Sequence, residues 1–105
     1  MKLKVISTGS IGNAYILYNE NEALLIECGV KIDDIKKALN FDYSKVVGCI
    51  CTHEHMDHSK AIWDVMKIGI NVYASSGTLA SRFVDTQARA KKVESKQNFK
   101  IGNFK

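Results

Sequence analysis

The first 27 residues show a hydrophobic pattern that is typical of three β-strands. Leu3 and Val5 alternate with lysines, and residues 14–18 and 23–26 are short runs of apolar and aromatic side chains. Turn-forming residues separate these runs, most clearly the Gly- and Ser-rich cluster at 7–13. Because the connections are short, the pattern predicts three strands that pair as an antiparallel meander.

The rest of the chain alternates between helical and strand patterns. Ile32, Ile35 and Leu39 recur at helical spacing, which predicts a helix. The run 46–51 contains no charged or strongly polar side chain, which favours a strand buried on both faces. Further predicted elements are a helix over 59–68, a strand over 70–74, a short helix near 78–83 and two strands around a Gly-Asn turn within 99–105. This order predicts a layered α/β (α+β) fold, and no domain boundary is visible within 1–105.

Composition narrows the class of protein without defining its function. The 105 residues are 46% hydrophobic and 25% charged, as expected of one globular domain. No apolar stretch approaches the roughly 18–20 residues of a membrane span, and the N-terminus lacks the apolar region of a secretory signal. We therefore expect a cytoplasmic protein that does not bind membranes.

The three cysteines, Cys28, Cys49 and Cys51, show neither disulfide-framework nor zinc-knuckle spacing. Free, buried thiols are the favoured interpretation, and a cysteine-ligated metal is the alternative.

Positive charge is concentrated at the end of the chain. The segment 89–105 has six basic residues against one acidic residue, whereas the whole chain has a formal net charge of +4. The remaining residues therefore carry a small net negative charge. A basic segment of this kind suits an anionic partner such as nucleic acid, and it is equally compatible with an ordinary solvated surface.

All the histidines of the chain lie in one heptapeptide, Thr52-His53-Glu54-His55-Met56-Asp57-His58. In an extended segment His53 and His55 project to the same side, so both imidazoles can reach one ion. Asp57 and His58 follow where the chain turns and can face a second ion. Imidazole and carboxylate are the usual ligands of Zn2+, and Mn2+ or Fe could also occupy such a site. The pattern favours a metal site over an accidental cluster of surface histidines.

The segment 53–58 resembles the H-x-H-x-D-H signature of the metallo-β-lactamase superfamily. In that family a strand ending in Asp-x-Gly precedes the signature, and here Glu27-Cys28-Gly29 stands in its place, with Glu27 at the position of the aspartate. The cluster Ser7-Thr8-Gly9-Ser10-Ile11-Gly12-Asn13 resembles the G-S-x-G-N loop of a branch of DNA exonuclease-like phosphodiesterases from bacteria and phages. We favour a plain turn for this cluster over a loop that brings backbone amides to a phosphate.

The resemblance implies a fold and a set of metal ligands. The fold would be an αββα sandwich, of which this chain would be the N-terminal half, truncated before the remaining ligands. His53 and His55 would bind one metal, and Asp57 and His58 would bind a second. Asp57 would also orient a hydroxide activated by the two metals.

Two further residues have expected supporting roles, Glu27 from the same resemblance and Thr52 from its position near the end of a strand. Glu27 would orient a metal ligand without binding the metal itself, and the Thr52 hydroxyl would hold the loop by hydrogen bonding. Because two ligands per metal are few, we expect the chain by itself to bind metal weakly and to show little turnover.

Three functions remain open at this point. The first is a metal-dependent phosphodiesterase or DNA nuclease-like enzyme, with nucleic acid bound through the basic C-terminal segment. The second is a hydrolase of the same fold that acts on a thioester, lactam or lactone. The third is a non-catalytic half-domain that self-associates through an exposed inner face.

Overall fold

The structure is a computed structural model that describes residues 1–9, 11–53, 55–82, 87–93 and 100–104, and it leaves the side chains of Met56 and Asp57 undescribed. In chain order its elements are β1 (Lys2–Ser7), β2 (Ala14–Tyr18), β3 (Ala23–Ile26), α1 (Ile32–Ala38), β4 (Val46–Ile50), α2 (Met56–Ser59), α3 (Ile62–Lys67), β5 (Val72–Ala74), α4 (Ser76–Ser81) and β6 (Ala90–Lys92). The predicted mixed α/β class is confirmed.

Within the described residues the strands form one sheet in chain order, from β1 at one edge to β6 at the other. Strands β1, β2 and β3 pair antiparallel, which confirms the predicted meander. Strands β3 to β6 run parallel. Because parallel strands end at the same edge of a sheet, the segments that follow β3 and β4 become neighbours there.

Helices cover one face of this sheet. Buried side chains of the strands pack there against buried side chains of α1, α3 and α4; the larger members of this cluster are Ile16, Leu25, Val72, Ile35, Ile62, Val65, Met66 and Leu79. Full burial of a side chain of this size contributes about 1.5–3 kcal/mol. This cluster is the main core, and it fixes the helices relative to the strand ends.

The opposite face of the sheet is covered in part by the turn at residues 101–104. Ile101 and Phe104 pack there against Leu24. A Cβ atom at Gly48 would lie 2.8 Å from Cγ2 of Ile101, so glycine at this position allows the turn to approach β4 closely. Strand β4 is fully buried only in its middle, at Gly48 and Cys49. The expectation that the whole run is buried on both faces was therefore too broad.

The helix predicted over 59–68 is interrupted. Within that range Ser59 ends α2 and a separate helix, α3, begins at Ile62; between them the amide of Ala61 donates a hydrogen bond to the carbonyl of Cys28 at 2.8 Å. This contact ties the chain to the loop that follows β3. A hydrogen bond between residues so far apart in the sequence cannot be predicted from helical periodicity. Among the described residues, no helix is long and apolar enough to cross a bilayer.

The last part of the chain also differs from the prediction. Strand β6 was not predicted, because its residues Ala-Lys-Lys carry no apolar alternation, and it forms by pairing with β5. In place of two strands within 99–105, the described residues there contain one isolated bridge between Ile101 and Phe104. The predicted helix near 78–83 begins earlier, at Ser76, and positions 83–86 lie outside the described residues.

Candidate metal centre

Glu27 is a buried carboxylate at the end of β3. Only 5% of the residue is exposed, and its backbone φ of +64° lies in the left-handed region that non-glycine residues seldom adopt. Its amide donates a hydrogen bond to the carbonyl of Ile50 at 2.7 Å, which holds the turn against the end of β4. Backbone conformations of this kind occur often at functional sites.

Residues from the end of β4 and from α2 surround this carboxylate. Oε1 of Glu27 accepts a hydrogen bond from the amide of Thr52 at 2.7 Å. Oε2 contacts Nδ1 of His58 at 2.6 Å and accepts from the Thr52 hydroxyl. A buried carboxylate is tolerated only when partners replace its hydration, and this set of contacts supplies them.

The contact with Glu27 also selects the tautomer of His58. An ionised carboxylate can only accept hydrogen bonds, so Nδ1 of His58 must carry the proton in this contact. Nε2 is then the ring nitrogen with a lone pair, which is the form that binds metals.

The histidine rings lie close together beside this carboxylate. The ring centroids of His53 and His58 are 4.5 Å apart, and those of His53 and His55 are 6.4 Å apart. Glu27, His53 and His58 each offer one possible ligand atom within 4.8 Å of the others. The side chain of His53 is 58% exposed and that of His58 is 23% exposed. The cluster therefore has a buried carboxylate, Glu27, on its inner side and an exposed histidine, His53, on its outer side.

The nitrogen atoms that face Glu27 are already engaged. Nδ1 of His58 contacts the carboxylate, and Nδ1 of His53 lies 2.7 Å from the Thr52 hydroxyl and 3.9 Å from Oε2 of Glu27. A metal bound directly between the three groups would have to displace these contacts. The arrangement is better suited to a carboxylate that orients histidines from behind than to one that binds the metal itself.

The structure brings most of the predicted site residues together. Glu27, Thr52, His53 and His58 form one contact network, and His55 lies beside His53 with an exposed side chain. Asp57 lies within α2, between His55 and His58, and its side chain is not described.

Main-chain contacts hold the histidine segment against the loop after β3. The amide of Cys28 donates to the carbonyl of His58 at 2.8 Å. The Ser59 hydroxyl donates to the carbonyl of His55 at 2.9 Å. Two of the histidines are thereby fixed through their own carbonyl groups, independently of their rings.

Cys51 belongs to this support, and sequence reasoning did not identify it. Its thiol lies 3.3 Å from the carbonyl oxygen of His53 and 3.6 Å from that of His58, so one buried side chain bridges both histidines. Hydrogen bonding to the Cys28 thiol, together with burial, raises the pKa of Cys51 far above its usual range. The protonated thiol therefore persists as a donor. The available sequence signal was its position directly before the histidine cluster.

All the cysteines are free and buried, as their spacing predicted. Hydrogen bonding to the Cys49 thiol, reinforced by burial, raises the pKa of Cys28 as well. Thiols held in the protonated form are poor nucleophiles and poor metal ligands. Cys28 and Cys51 are thus structural groups beneath the histidine segment.

We expect Cys51→Ala to weaken Zn2+ binding about two- to fivefold, because it removes weak hydrogen bonds to the histidine carbonyls. Cys49→Ala is the matched control, since Cys49 is equally buried two residues earlier in β4 and, like Cys51, contacts the Cys28 thiol. Both variants should lose about 1 kcal/mol of stability. Competition titration with a chromogenic chelator measures the metal affinity. Equal affinities in the two variants would contradict the role of Cys51.

The glycine-rich loop at 7–13 is closed by the side chain of Asn13. Its Oδ1 accepts from the amide of Gly9 at 3.1 Å, and its Nδ2 donates to the carbonyl of Gly9 at 3.0 Å. The carbonyl of Asn13 accepts from the amide of Gly29 at 2.9 Å, close in the chain to Glu27 of the candidate metal centre. Because the Gly9 amide is already bonded, these contacts fit the turn interpretation. Ser10 lies outside the described residues.

The sequence profile of the Metallo-beta-lactamase superfamily matches residues 7–93. The chain therefore belongs to the metallo-beta-lactamase superfamily, and the resemblance inferred from the histidine signature is confirmed.

Among characterised proteins, the chain is similar to Exodeoxyribonuclease WalJ of Streptococcus pneumoniae serotype 2 (strain D39 / NCTC 7466). The two are 27% identical over 110 aligned positions, which cover 99% of this chain and 40% of WalJ. A second strain of the same species, ATCC BAA-255 / R6, has a WalJ that matches equally. The chain thus spans about two fifths of the length of the curated relatives that it matches.

Solved structures share the same fold. The BLEG-1 B3 metallo-beta-lactamase superimposes with a TM-score of 0.74 at 21% identity, over 97% of this chain and 57% of that one. The metallo-beta-lactamase fold protein YhfI from Bacillus subtilis gives a TM-score of 0.74 at 17% identity, over 95% and 48% of the two chains. At this level of identity the similarity concerns the fold alone.

Proposed function

We propose that the chain carries the metal site of a metal-dependent hydrolase that cleaves phosphodiesters, with DNA as the substrate class. The observation that carries this proposal is the contact of the buried Glu27 carboxylate with Nδ1 of His58, beside His53. Such a carboxylate–histidine pair orients a metal-binding imidazole. An isolated pair of surface histidines would not need it.

The ligand roles follow from these contacts. Because Nδ1 of His58 faces Glu27 and Nδ1 of His53 faces Thr52, both residues would bind metal through Nε2. His53 and His55 would hold one ion, and Asp57 with His58 would hold a second. This donor set suits Zn2+, and Mn2+ or Fe is compatible with it.

A bound metal would lower the pKa of a water molecule and so supply a nucleophile near neutral pH. The residues of the chain prepare the site for this chemistry. Glu27 keeps the proton on Nδ1 of His58, and Thr52 holds both the carboxylate and the ring of His53. Asp57 would accept a hydrogen bond from the attacking water and orient it. The exposed side of His53 leaves room for a substrate.

Two observations support a phosphodiester over other substrates. The curated relatives are exodeoxyribonucleases, and the net positive charge of this chain is concentrated in residues 89–105. The second candidate is a hydrolase of a lactam, thioester or lactone, because the shared fold leaves the substrate class open. A third candidate is a non-catalytic domain that self-associates.

The first test is metal content, measured by elemental mass spectrometry on protein purified without chelator or nickel resin. We expect substoichiometric zinc or manganese, because two ligands per metal hold an ion weakly. His53→Ala should lower the content further. Stoichiometric metal in the unmodified chain would indicate that further ligands come from a second copy or from Glu27 and the cysteines, and a dimeric mass in size exclusion would favour the second copy.

The second test compares substrates under single-turnover conditions with added Zn2+, Mn2+ or Fe2+. A labelled DNA oligonucleotide, nitrocefin and a thioester are incubated with the chain and with His53→Ala. We expect slow, metal-dependent cleavage of DNA that His53→Ala abolishes. Faster hydrolysis of nitrocefin or the thioester would favour the second candidate. A metal-free oligomer that cleaves none of the three would favour the third.

A further inference from the structure

A lysine lies at the same edge of the sheet as the histidine site. Strand register aligns Ile26, Ile50, Tyr73 and Lys91 in one row across β3, β4, β5 and β6. Glu27 directly follows the first residue of this row, and the histidine segment follows the second after a short connection. Because these strands are parallel, Lys91 lies at the edge of the sheet that holds the site.

Lys91 projects from the face of the sheet that the helices do not cover. In the same strand Ala90 pairs with Val72 and Lys92 pairs with Ala74, and both partners are buried on the helical side. Successive side chains of a strand point to opposite faces, so Lys91 points to the other side. It is exposed, and among the residues that the structure describes no carboxylate forms an ion pair with it.

The lateral distance between β4 and β6 is short enough for one DNA strand to cover. Two strand spacings, about 10 Å, separate β4 from β6. Consecutive phosphates of one DNA strand lie closer together than this distance, so a strand covers it within a few nucleotides. A strand with one phosphate at the histidines would therefore bring another phosphate near β6. The flexible stem of lysine allows its ammonium group to meet that phosphate as a point charge.

We propose that Lys91 binds a backbone phosphate of a DNA strand whose reacting phosphate lies at the site formed by Glu27 and the histidines. This inference rests on the proposed function and adds the direction in which the strand crosses the protein, from β4 towards β6. A lysine on an edge strand can also discourage pairing between sheets. Lys92 on the same edge strand could also discourage pairing between sheets. A specific loss of DNA binding on changing Lys91 but not Lys92 would therefore favour the phosphate contact.

The test is DNA binding measured by fluorescence anisotropy with a labelled single-stranded oligonucleotide, in EDTA and over a series of salt concentrations. Lys91→Glu and Lys92→Glu change the net charge equally and differ in the face of β6 that they alter. We expect Lys91→Glu to weaken binding at least fivefold and Lys92→Glu to change it less than twofold. Lys91→Ala should reduce the slope of log K against log salt by about 0.7, the value for one phosphate on a single strand.

Equal losses in the two charge reversals would overturn the proposal, because they would indicate an unspecific effect of charge. Absence of DNA binding by the unmodified chain would overturn it as well. Since EDTA removes metal, this result is independent of turnover. Position-specific binding without DNA cleavage would contradict the proposed function alone, whereas cleavage that does not depend on Lys91 would contradict only the phosphate contact.

Discussion

Replacing Glu27 by glutamine is expected to lower the affinity of the chain for Zn2+ by about 10- to 100-fold. The Glu27 carboxylate contacts the Thr52 amide, the Thr52 hydroxyl and Nδ1 of His58 with its two oxygens. A glutamine amide has one oxygen and an NH2 group that can only donate. One of the donors facing it would lose its acceptor, and His58 would lose the partner that selects its tautomer.

The affinity is measured by competition with a chromogenic chelator, and the midpoint of thermal unfolding is measured without metal. Glu20→Gln is the matched control, because it removes the same charge from an exposed side chain. We expect Glu20→Gln to leave both quantities unchanged. In Glu27→Gln the unsatisfied donor should also lower the free energy of unfolding by about 1–3 kcal/mol.

A conservative variant distinguishes the orientation of His58 by Glu27 from a contribution of Glu27 to the stability of the fold alone. Glu27→Asp retains the charge and two acceptor oxygens, and aspartate tolerates the left-handed φ of this position better than most residues. It is shorter by one methylene, so it should recover part of the zinc affinity that glutamine loses. Affinity for zinc within twofold of the unmodified chain in Glu27→Gln would show that Glu27 does not orient His58.

The local part of this molecule could be predicted from its sequence. The alternation of Leu3 and Val5 with lysines and the apolar runs at 14–18 and 23–26 correspond to β1, β2 and β3. The period of a strand is short, so a few residues suffice to reveal it. The histidine cluster was equally visible, because all its members lie in one heptapeptide. These features depend on neighbours in the chain and not on tertiary contacts.

The geometry around Glu27 could not be predicted in this way. Thr52 lies 25 residues and His58 lies 31 residues further along the chain. Their approach depends on the parallel pairing of β3 with β4, which spacing in the sequence does not encode. The resemblance to the superfamily indicated that a carboxylate belongs at position 27. The structure adds which atoms it contacts and why a glutamate can serve there.

The elements that prediction missed were decided by tertiary contacts. The amide of Ala61 bonds to the loop after β3 and separates α2 from α3, so the apolar spacing that predicted a helix from residue 59 corresponds to α3 alone. Strand β6 has a polar sequence and exists because β5 offers an edge for it. The role of Cys51 is of the same kind, since its position before the histidine cluster does not reveal the contacts of its thiol with two carbonyl groups.

Gly12→Ala is expected to destabilise the fold by about 3 kcal/mol, at the upper end of the usual cost of overpacking. A Cβ atom at Gly12 would lie 2.3 Å from the carbonyl oxygen of Gly29 and 3.1 Å from Cγ1 of Val30. The first obstacle is main chain, so no side-chain rotation can relieve it. The loop at 7–13 would have to move away from residues 28–30, and the hydrogen bond between Gly29 and Asn13 would be lost.

Gly77→Ala provides the control, because a Cβ atom at Gly77 in α4 would meet no atom within 4 Å. Alanine favours the helix there, so this variant should gain up to about 1 kcal/mol. Urea denaturation followed by circular dichroism gives both values. A loss below about 1 kcal/mol in Gly12→Ala would refute the close approach of the two loops.

The effect of Gly12→Ala should extend from stability to the candidate metal centre. Gly29 follows Cys28, whose amide holds the carbonyl of His58. A displacement of residues 28–30 therefore reaches His58 through one hydrogen bond, and zinc affinity should fall together with the urea midpoint. If stability falls while zinc affinity stays constant, the loop at 7–13 supports the fold without positioning the histidines. If both fall, the glycine-rich loop is part of what holds the site in place.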